Sequence, residues 1–300
     1  MPPSLLVRFW GVRGSVPAPG PRTVRYGGNT PCVEVRALHP RPGAPPDRVI
    51  LDAGTGIRPL GDQLLAEARA AGHRVDVAVC VTHAHWDHVQ GLPFFAPLYE
   101  PDARVTVLVA DAVREPVESA IRDQMRPPAF PVRWDALGAD VSFESLPADG
   151  APRPLGALEV RAIGVHHPGD AAGFAVAPRG GGDEVIYLPD NEIAEATGDP
   201  ARRAALVEAL RGAALLVHDS TYLPDELPAR ANWGHSAWDE VVRLAADAGV
   251  RRLALFHHLA ERRDAEVDAI LAGARALARE LAGDRAPLVL AASEGLVLHV

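Results

Sequence analysis

Residues 75–81 are nearly all apolar, and they run directly into Thr82-His83-Ala84-His85-Trp86-Asp87-His88. A short, valine-rich run of this kind predicts a central strand buried on both faces. Three imidazoles and one carboxylate within six residues at its C-terminal end are not explained by packing. Histidine is usually only partly buried, and aspartate is almost never buried unpaired. Neutral imidazole and carboxylate are the donors that zinc-like cations prefer. Spacing divides the group. His83 and His85 share a face if extended geometry continues past Thr82, whereas Asp87 and His88 fall where the chain should turn into a helix. The two pairs can therefore face two cations, which two-metal hydrolytic sites hold roughly 3.5–4 Å apart.

Composition narrows the chemistry. The chain has 300 residues, nearly half hydrophobic, with a formal net charge of −9. That is enough apolar material for a sizeable core, and the charge argues against a general nucleic-acid coat. There is no lysine, so Schiff-base and P-loop lysine chemistry are excluded. Cys32 and Cys80 each sit in an apolar run and are expected as buried free thiols. With no CxxC spacing, a cysteine metal site or redox pair is not expected. The N-terminus lacks a signal-peptide pattern and no apolar stretch reaches membrane-span length, so the expected location is the cytoplasm, without membrane contact.

Strand-like runs lie at 5–9, 32–37, 49–51, 75–81, 105–109, 158–165, 173–177, 185–188, 214–217, 253–256, 288–290 and 296–300. Pro/Gly-rich stretches at 17–21, 40–46 and 149–156 read as loops, and 179–183 as a hairpin turn. Leu60, Leu64 and Ala68 mark a helix that Gly72 ends. Ser236, with Asp239 three residues on, predicts the capped start of a second helix, which Gly249 stops. Val267, Ile270, Ala274, Leu277 and Leu281 predict a third apolar helix face. Strands first and alternating helix and strand later suit a two-sheet sandwich with helices on its outer faces.

The run His-x-His-x-Asp-His after a buried strand resembles the signature of the metallo-β-lactamase superfamily. The resemblance implies an α/β, four-layer αββα sandwich, a single domain over 1–300, and more distant ligands. These would be His167 in Val165-His166-His167-Pro168, the bridging Asp190 in Leu188-Pro189-Asp190, and His257 in Phe256-His257-His258. Neighbours on an extended chain point in opposite directions, so at most one of each histidine pair is expected to bind metal. His167 is preferred because related sequences place the ligand before Pro, and His257 because it is the first residue past its strand. His166 and His258 remain as supporting or substrate-facing groups. An Asp190 bridge instead of cysteine argues against the cysteine-using β-lactamases, and His85 instead of a carboxylate argues against the di-iron flavoprotein branch.

The opening Phe9-Trp10-Gly11-Val12-Arg13-Gly14-Ser15, with Gly27-Gly28-Asn29-Thr30, is similar to the branch containing ribonuclease Z and bacterial cyclic phosphodiesterases. Leu51-Asp52-Ala53-Gly54 looks like its second strand-to-turn segment, with Asp52 orienting a ligand imidazole. His218-Asp219-Ser220-Thr221 and Gly234-His235-Ser236 resemble two further ribonuclease Z segments. They imply that His235 is catalytic and that Asp219 orients it through a hydrogen bond of about 2.6–3.2 Å. The expected activity is hydrolysis of a small, cyclic or related phosphodiester at two divalent metals, zinc first, with manganese or iron as alternatives. Metal-bound hydroxide would attack in line, Asp87 would bind the second metal and accept from that nucleophile, and His235 would protonate the leaving group. Arg13, Arg126 and Arg133 are candidate phosphate contacts. The segment 123–131, with Trp86, Phe94 and Phe95, is a candidate roof. Because 170–190 reads as a plain hairpin without a long basic arm, pre-tRNA is expected to be a poor substrate. Thioester, lactone or β-lactam hydrolysis is the alternative chemistry, and a non-catalytic sensor the distant one.

Overall fold

The computed structural model describes residues 4–38, 48–147, 150–193 and 198–300, and the loop expected at 40–46 lies outside them. Two seven-stranded sheets form the middle of the molecule. The first contains β1 (Leu5–Gly11), β2 (Cys32–Ala37), β3 (Arg48–Leu51), β4 (Asp76–Cys80), β5 (Arg104–Ala110) and β6 (Asp140–Leu146). The second contains β7 (Arg153–Leu155), β8 (Leu158–Gly164), β9 (Ala172–Pro178), β10 (Val185–Leu188), β11 (Leu215–Asp219), β12 (Arg252–Phe256) and β13 (Leu288–Ala291). The last strand, β14 (Val297–His299), returns to the first sheet beside β1. Strand orders are β14-β1-β2-β3-β4-β5-β6 and β13-β12-β11-β10-β9-β8-β7. Strands β3 to β6 run parallel, as do β10 to β13.

Strand β4 shows why the run before the histidines is apolar throughout. Ala78 and Cys80 belong to the core between the two sheets, with Phe9, Leu51, Phe174, Tyr187 and Phe256. Val77 and Val79 face the other way, under Leu60 and Leu64 of α1 (Ile57–Ala71). The second sheet is covered by α4 (Pro200–Ala209), α5 (Trp238–Asp247) and α6 (Asp264–Ala282), which bury Leu206, Val242 and Ile270 against Ile186, Leu216 and Leu253. The layers are helix, sheet, sheet, helix, as the resemblance implied. The first half also contains α2 (Trp86–Val89) and α3 (Arg114–Asp123). No helix among the described residues is long and apolar enough to cross a membrane.

Several expectations need correction. The strands β6 and β7 were not anticipated. Both are edge strands, where one side of the ladder is unpaired and polar residues or a proline are tolerated. Helix α5 is capped at Ala237, with the Glu240 carboxylate accepting from the Ala237 N–H, and not at Ser236 with Asp239. Ser236 is drawn inward instead: its hydroxyl donates to the Asn191 carbonyl. On α6, Ala278 takes the buried place and Leu281 is exposed. Gly72 does end α1 in the left-handed conformation, its N–H reaching the Ala68 carbonyl. Cys32 and Cys80 are buried free thiols.

Phe174 on β9 is fully buried between the sheets. Replacing it with alanine should cost about 3–5 kcal/mol, read as a lower urea midpoint with an unchanged slope. A loss below about 1 kcal/mol would show that the inter-sheet core is not packed as described.

Candidate metal centre

Seven side chains converge where the strands of both sheets end. His83 and His85 follow β4. The chain then turns into α2, of only four residues, which buries Asp87 and His88. His167 follows β8, Asp190 follows β10 and His257 follows β12. The donor atoms of His83, His85, His167 and Asp190 lie within 4.8 Å of one another, and so do those of Asp87, His88 and His257.

Asp190 faces both groups. Its Oδ2 is 3.7 Å from Nε2 of His83 and 3.5 Å from Nε2 of His167. Its Oδ1 is 3.2 Å from Nε2 of His88 and 3.3 Å from Nε2 of His257. These are close approaches without hydrogen-bond alignment. Nε2 of His83, His88 and His167 and Oδ1 of Asp190 are buried with no hydrogen-bond partner. Burying unsatisfied polar atoms in such number is costly, and a cation between them removes the cost. The donor set therefore fits divalent metal.

The ring orientations follow from what each Nδ1 does. His88 Nδ1 is 2.7 Å from Oδ2 of Asp52. His83 Nδ1 is 3.0 Å from the Thr82 hydroxyl, which itself donates to Asp52. His257 Nδ1 is 3.0 Å from the Thr221 hydroxyl, which donates to Asp219. His167 Nδ1 meets the Pro168 carbonyl at 2.8 Å. A donating Nδ1–H leaves the Nε2 lone pair for a metal. Burial, and then the neighbouring His88, push the His83 imidazole well below its ordinary range, which favours that neutral form. Asp87 accepts from the Ser15 N–H at 2.8 Å. Ser15, Asp52 and His257 all have left-handed backbones, with φ of 65°, 61° and 57°.

Beside the cluster, His235 Nδ1 lies 2.8 Å from Oδ2 of the buried Asp219, within the range expected. Its ring stacks on His257 with centroids 4.9 Å apart. Burial lowers the His235 pKa, but the Asp219 charge and hydrogen bond outweigh burial and raise it to about 9.

Sequence reasoning missed the residues directly after Asp190. Asn191 accepts from the His166 N–H. Glu192 is buried and accepts from the Asn232 and Gly234 N–H groups, one with each carboxylate oxygen. Asp190 is thereby tied to the loops carrying His167 and His235. A carboxamide and a second acid adjoining Asp190 were the available signal.

Other candidates fall elsewhere. Arg13 is fully buried and donates to the carbonyls of Gly27, Leu259 and Arg262, so it knits loops together and is not a phosphate contact. Arg126 and Arg133 are exposed and paired with Asp123 and Asp135, and among the described residues no hydrogen bond joins either to the histidines. His258 is buried against the Ala292 carbonyl, and burial lowers its pKa to about 4, so it does not face substrate. His166 is partly exposed, in a groove with Arg202 and Leu206. Phe95 is core, not roof. In the segment 123–131, Gln124 donates to the Val89 carbonyl, and Phe130 packs edge-on to Phe94 at 5.5 Å.

The family described as the beta-lactamase superfamily domain matches residues 47–258. Ribonuclease Z of Natronomonas pharaonis is 27% identical over 287 residues, spanning 85% of this chain and 87% of that protein. Among solved structures, unliganded yeast PDE1 superposes with a TM-score of 0.71 at 14% identity, covering 99% of this chain and 100% of the other. The short form of human tRNase Z gives 0.61 at 18% identity, covering 98% of each. At these identities the structures show the fold. The relatives correct one expectation. Pre-tRNA was set aside because the β9–β10 turn is short, yet proteins named ribonuclease Z align along most of this chain. The short turn therefore does not separate this chain from those relatives. The chain belongs to the metallo-β-lactamase superfamily, is similar along most of its length to proteins named ribonuclease Z, and is a metal-dependent hydrolase.

Proposed function

We propose that the chain hydrolyses phosphodiesters at a two-metal centre. The observation that carries this reading is the His235–Asp219 pair beside the ligand cluster. An alkoxide leaving phosphorus needs a proton and this pair places a donor for it, whereas a thiolate leaving a thioester needs none. His83, His85 and His167 would hold one ion, Asp87, His88 and His257 the other, with Asp190 shared. The nitrogen-and-oxygen donor set suits zinc first, then manganese or iron. Bound there, such ions supply Lewis acidity toward a phosphoryl oxygen and lower the pKa of a water toward neutrality.

The protein's own groups do the rest. Asp87, held by the Ser15 N–H, accepts a hydrogen bond from the attacking water. His235 uses Nδ1 on Asp219, which leaves Nε2–H to stabilise a phosphoryl oxygen and protonate the leaving group. Because ligands come from both sheets, we read residues 1–300 as one working domain. Candidate substrates run from cyclic nucleotides to RNA 3′ ends, precursor tRNA included.

The decisive measurement is a hydrolysis panel with metal-reconstituted protein. It comprises bis(p-nitrophenyl) phosphate, cyclic nucleotides, a 3′-extended tRNA transcript, a thioester and a lactone. Phosphodiesters should be turned over best. Thioesterase or lactonase activity with no phosphodiesterase activity under any divalent metal would overturn the reading. Elemental analysis should give two metals per chain, and a ratio held at or below one after reconstitution counts against the shared-aspartate arrangement.

His235→Ala should lower phosphodiester turnover by roughly 10²–10⁴-fold with metal content unchanged, and Asp219→Asn should lose less in the same direction. An alanine variant with full activity removes His235 from the chemistry. Asp52→Asn should weaken metal retention about 10–100-fold in a chelator competition, because His88 loses its charged acceptor. Unchanged retention would mean that Asp52 serves the fold alone.

A further inference from the structure

Two tryptophans at the rim of the centre are not absorbed by the fold. Trp86 stands between the ligands His85 and Asp87 and is 65% exposed. Trp233 stands two residues before His235 and is 61% exposed. Neither indole belongs to any of the packed hydrophobic cores of the described residues. Their exposure gains weight from where they stand, each beside residues of the one cluster.

Both rings are rooted against the ligands. Adjacent Cα atoms are about 3.8 Å apart, so Trp86 starts one such step from a ligand on either side. Trp233 precedes Gly234, whose backbone has φ +85° and lies so close to His167 that a Cβ there would sit 2.4 Å from the His167 Cδ2. The residues flanking Trp233 are clamped, since the Asn232 and Gly234 N–H groups both donate to buried Glu192. The loop is therefore held while its largest side chain is left in solvent. One tryptophan comes from the rim of each sheet.

The arginines first considered as phosphate contacts are not placed for recognition. The chain carries a net charge of −9. Arg13 is buried on carbonyls, and Arg126 and Arg133 are paired with aspartates. Exposed aromatic surface beside the cluster is then available to add affinity for a phosphodiester held there. A flat indole face beside a phosphate site fits a heterocyclic base.

We propose that Trp86 and Trp233 form a stacking site for the base of a nucleoside phosphate whose phosphate lies at the metal ligands. This rests on the phosphodiesterase reading and adds which part of the substrate is recognised.

The test is equilibrium binding to the metal-reconstituted full chain, comparing AMP with ribose 5-phosphate, which differ only in the base. AMP should bind about 5- to 100-fold more tightly. Trp86→Ala and Trp233→Ala should each reduce that preference, and the double variant should abolish it, with metal content retained. Equal binding of the two compounds by the parent protein, or binding of neither, overturns the proposal without recourse to a variant. A preference that survives in the double variant overturns it as well, as does tryptophan-dependent self-association with no base preference. Inactivity on the whole hydrolysis panel together with an intact base preference would defeat the phosphodiesterase reading and not the stacking site. A free nucleotide and an RNA 3′ end share this chemistry. Competition of AMP binding by a short oligoribonucleotide ending in a 3′ extension separates the two sources.

Discussion

One buried carboxylate, Asp190, faces imidazoles from both sheets, and much of the surrounding structure keeps it in place. An ionised carboxylate out of water is costly unless it is paired. Here burial opposes ionisation, but His257 and His88 hold the Asp190 pKa well below the usual carboxylate range. The strand that delivers it, β10, lies inside the second sheet. Tyr187 of the same strand donates to Asp52 of the first sheet at 2.9 Å, joining the two sheets just beneath the ligands. The residues after Asp190 then fasten the loops on either side. The position of the shared carboxylate is thus determined from below by the core and from beside by its own chain neighbours.

Each sheet solves the orientation problem in the same way. In the first, Asp52 accepts from the Thr82 hydroxyl and from His88, while Thr82 meets His83. In the second, Asp219 accepts from the Thr221 hydroxyl and from His235, while Thr221 meets His257. An aspartate, a threonine and two histidines make up each unit. The difference lies in use. The first unit orients two imidazoles of the cluster. The second orients one imidazole of the cluster and one placed beside it, so His235 and His257 are coupled through a single carboxylate and hydroxyl. A change at Asp219 would be felt by both rings, and metal content and turnover need to be measured together in any such variant.

How much of this was legible in the sequence depended on the kind of signal. The run from His83 to His88 was visible because packing does not produce it. The central strands were visible because burial on two faces leaves an uninterrupted apolar stretch, as in 75–81. Edge strands β6 and β7 were not, since pairing on one side only relaxes the pattern that marks a strand. Ser236 looked like a helix cap because a hydroxyl before an acidic first turn usually is one. Its actual bond, to the Asn191 carbonyl, is set by a residue 45 positions away. Arg13 was read as a phosphate contact because guanidinium groups commonly serve as one. Its partners are backbone carbonyls as much as 249 positions distant. Local patterns report burial and turns, whereas the partner of a long polar side chain is a property of the assembled loops. The same limit explains why Glu192 and Thr221 were passed over and why a short turn was a poor guide to substrate.

The left-handed backbone at the rim has a consequence for how the chain divides its labour. Among the described non-glycine residues with positive φ are Ser15, Asp52, Asn232 and His257. Each touches the centre or holds a loop beside it. An L-residue in that conformation is destabilised by about 1–2 kcal/mol, less for Asp and Asn than for Ser and His, and glycine would relax the backbone at these points. At Asp52 and His257 glycine would also delete the carboxylate or the imidazole. The sheets therefore carry the molecule's thermodynamic reserve, and the reactive edge draws it down. Substitutions that make this protein more robust belong in the strands and outer helices. Relaxing Ser15 or Asn232 to glycine keeps the N–H each one donates, whereas relaxing Asp52 or His257 would remove a group of the cluster itself.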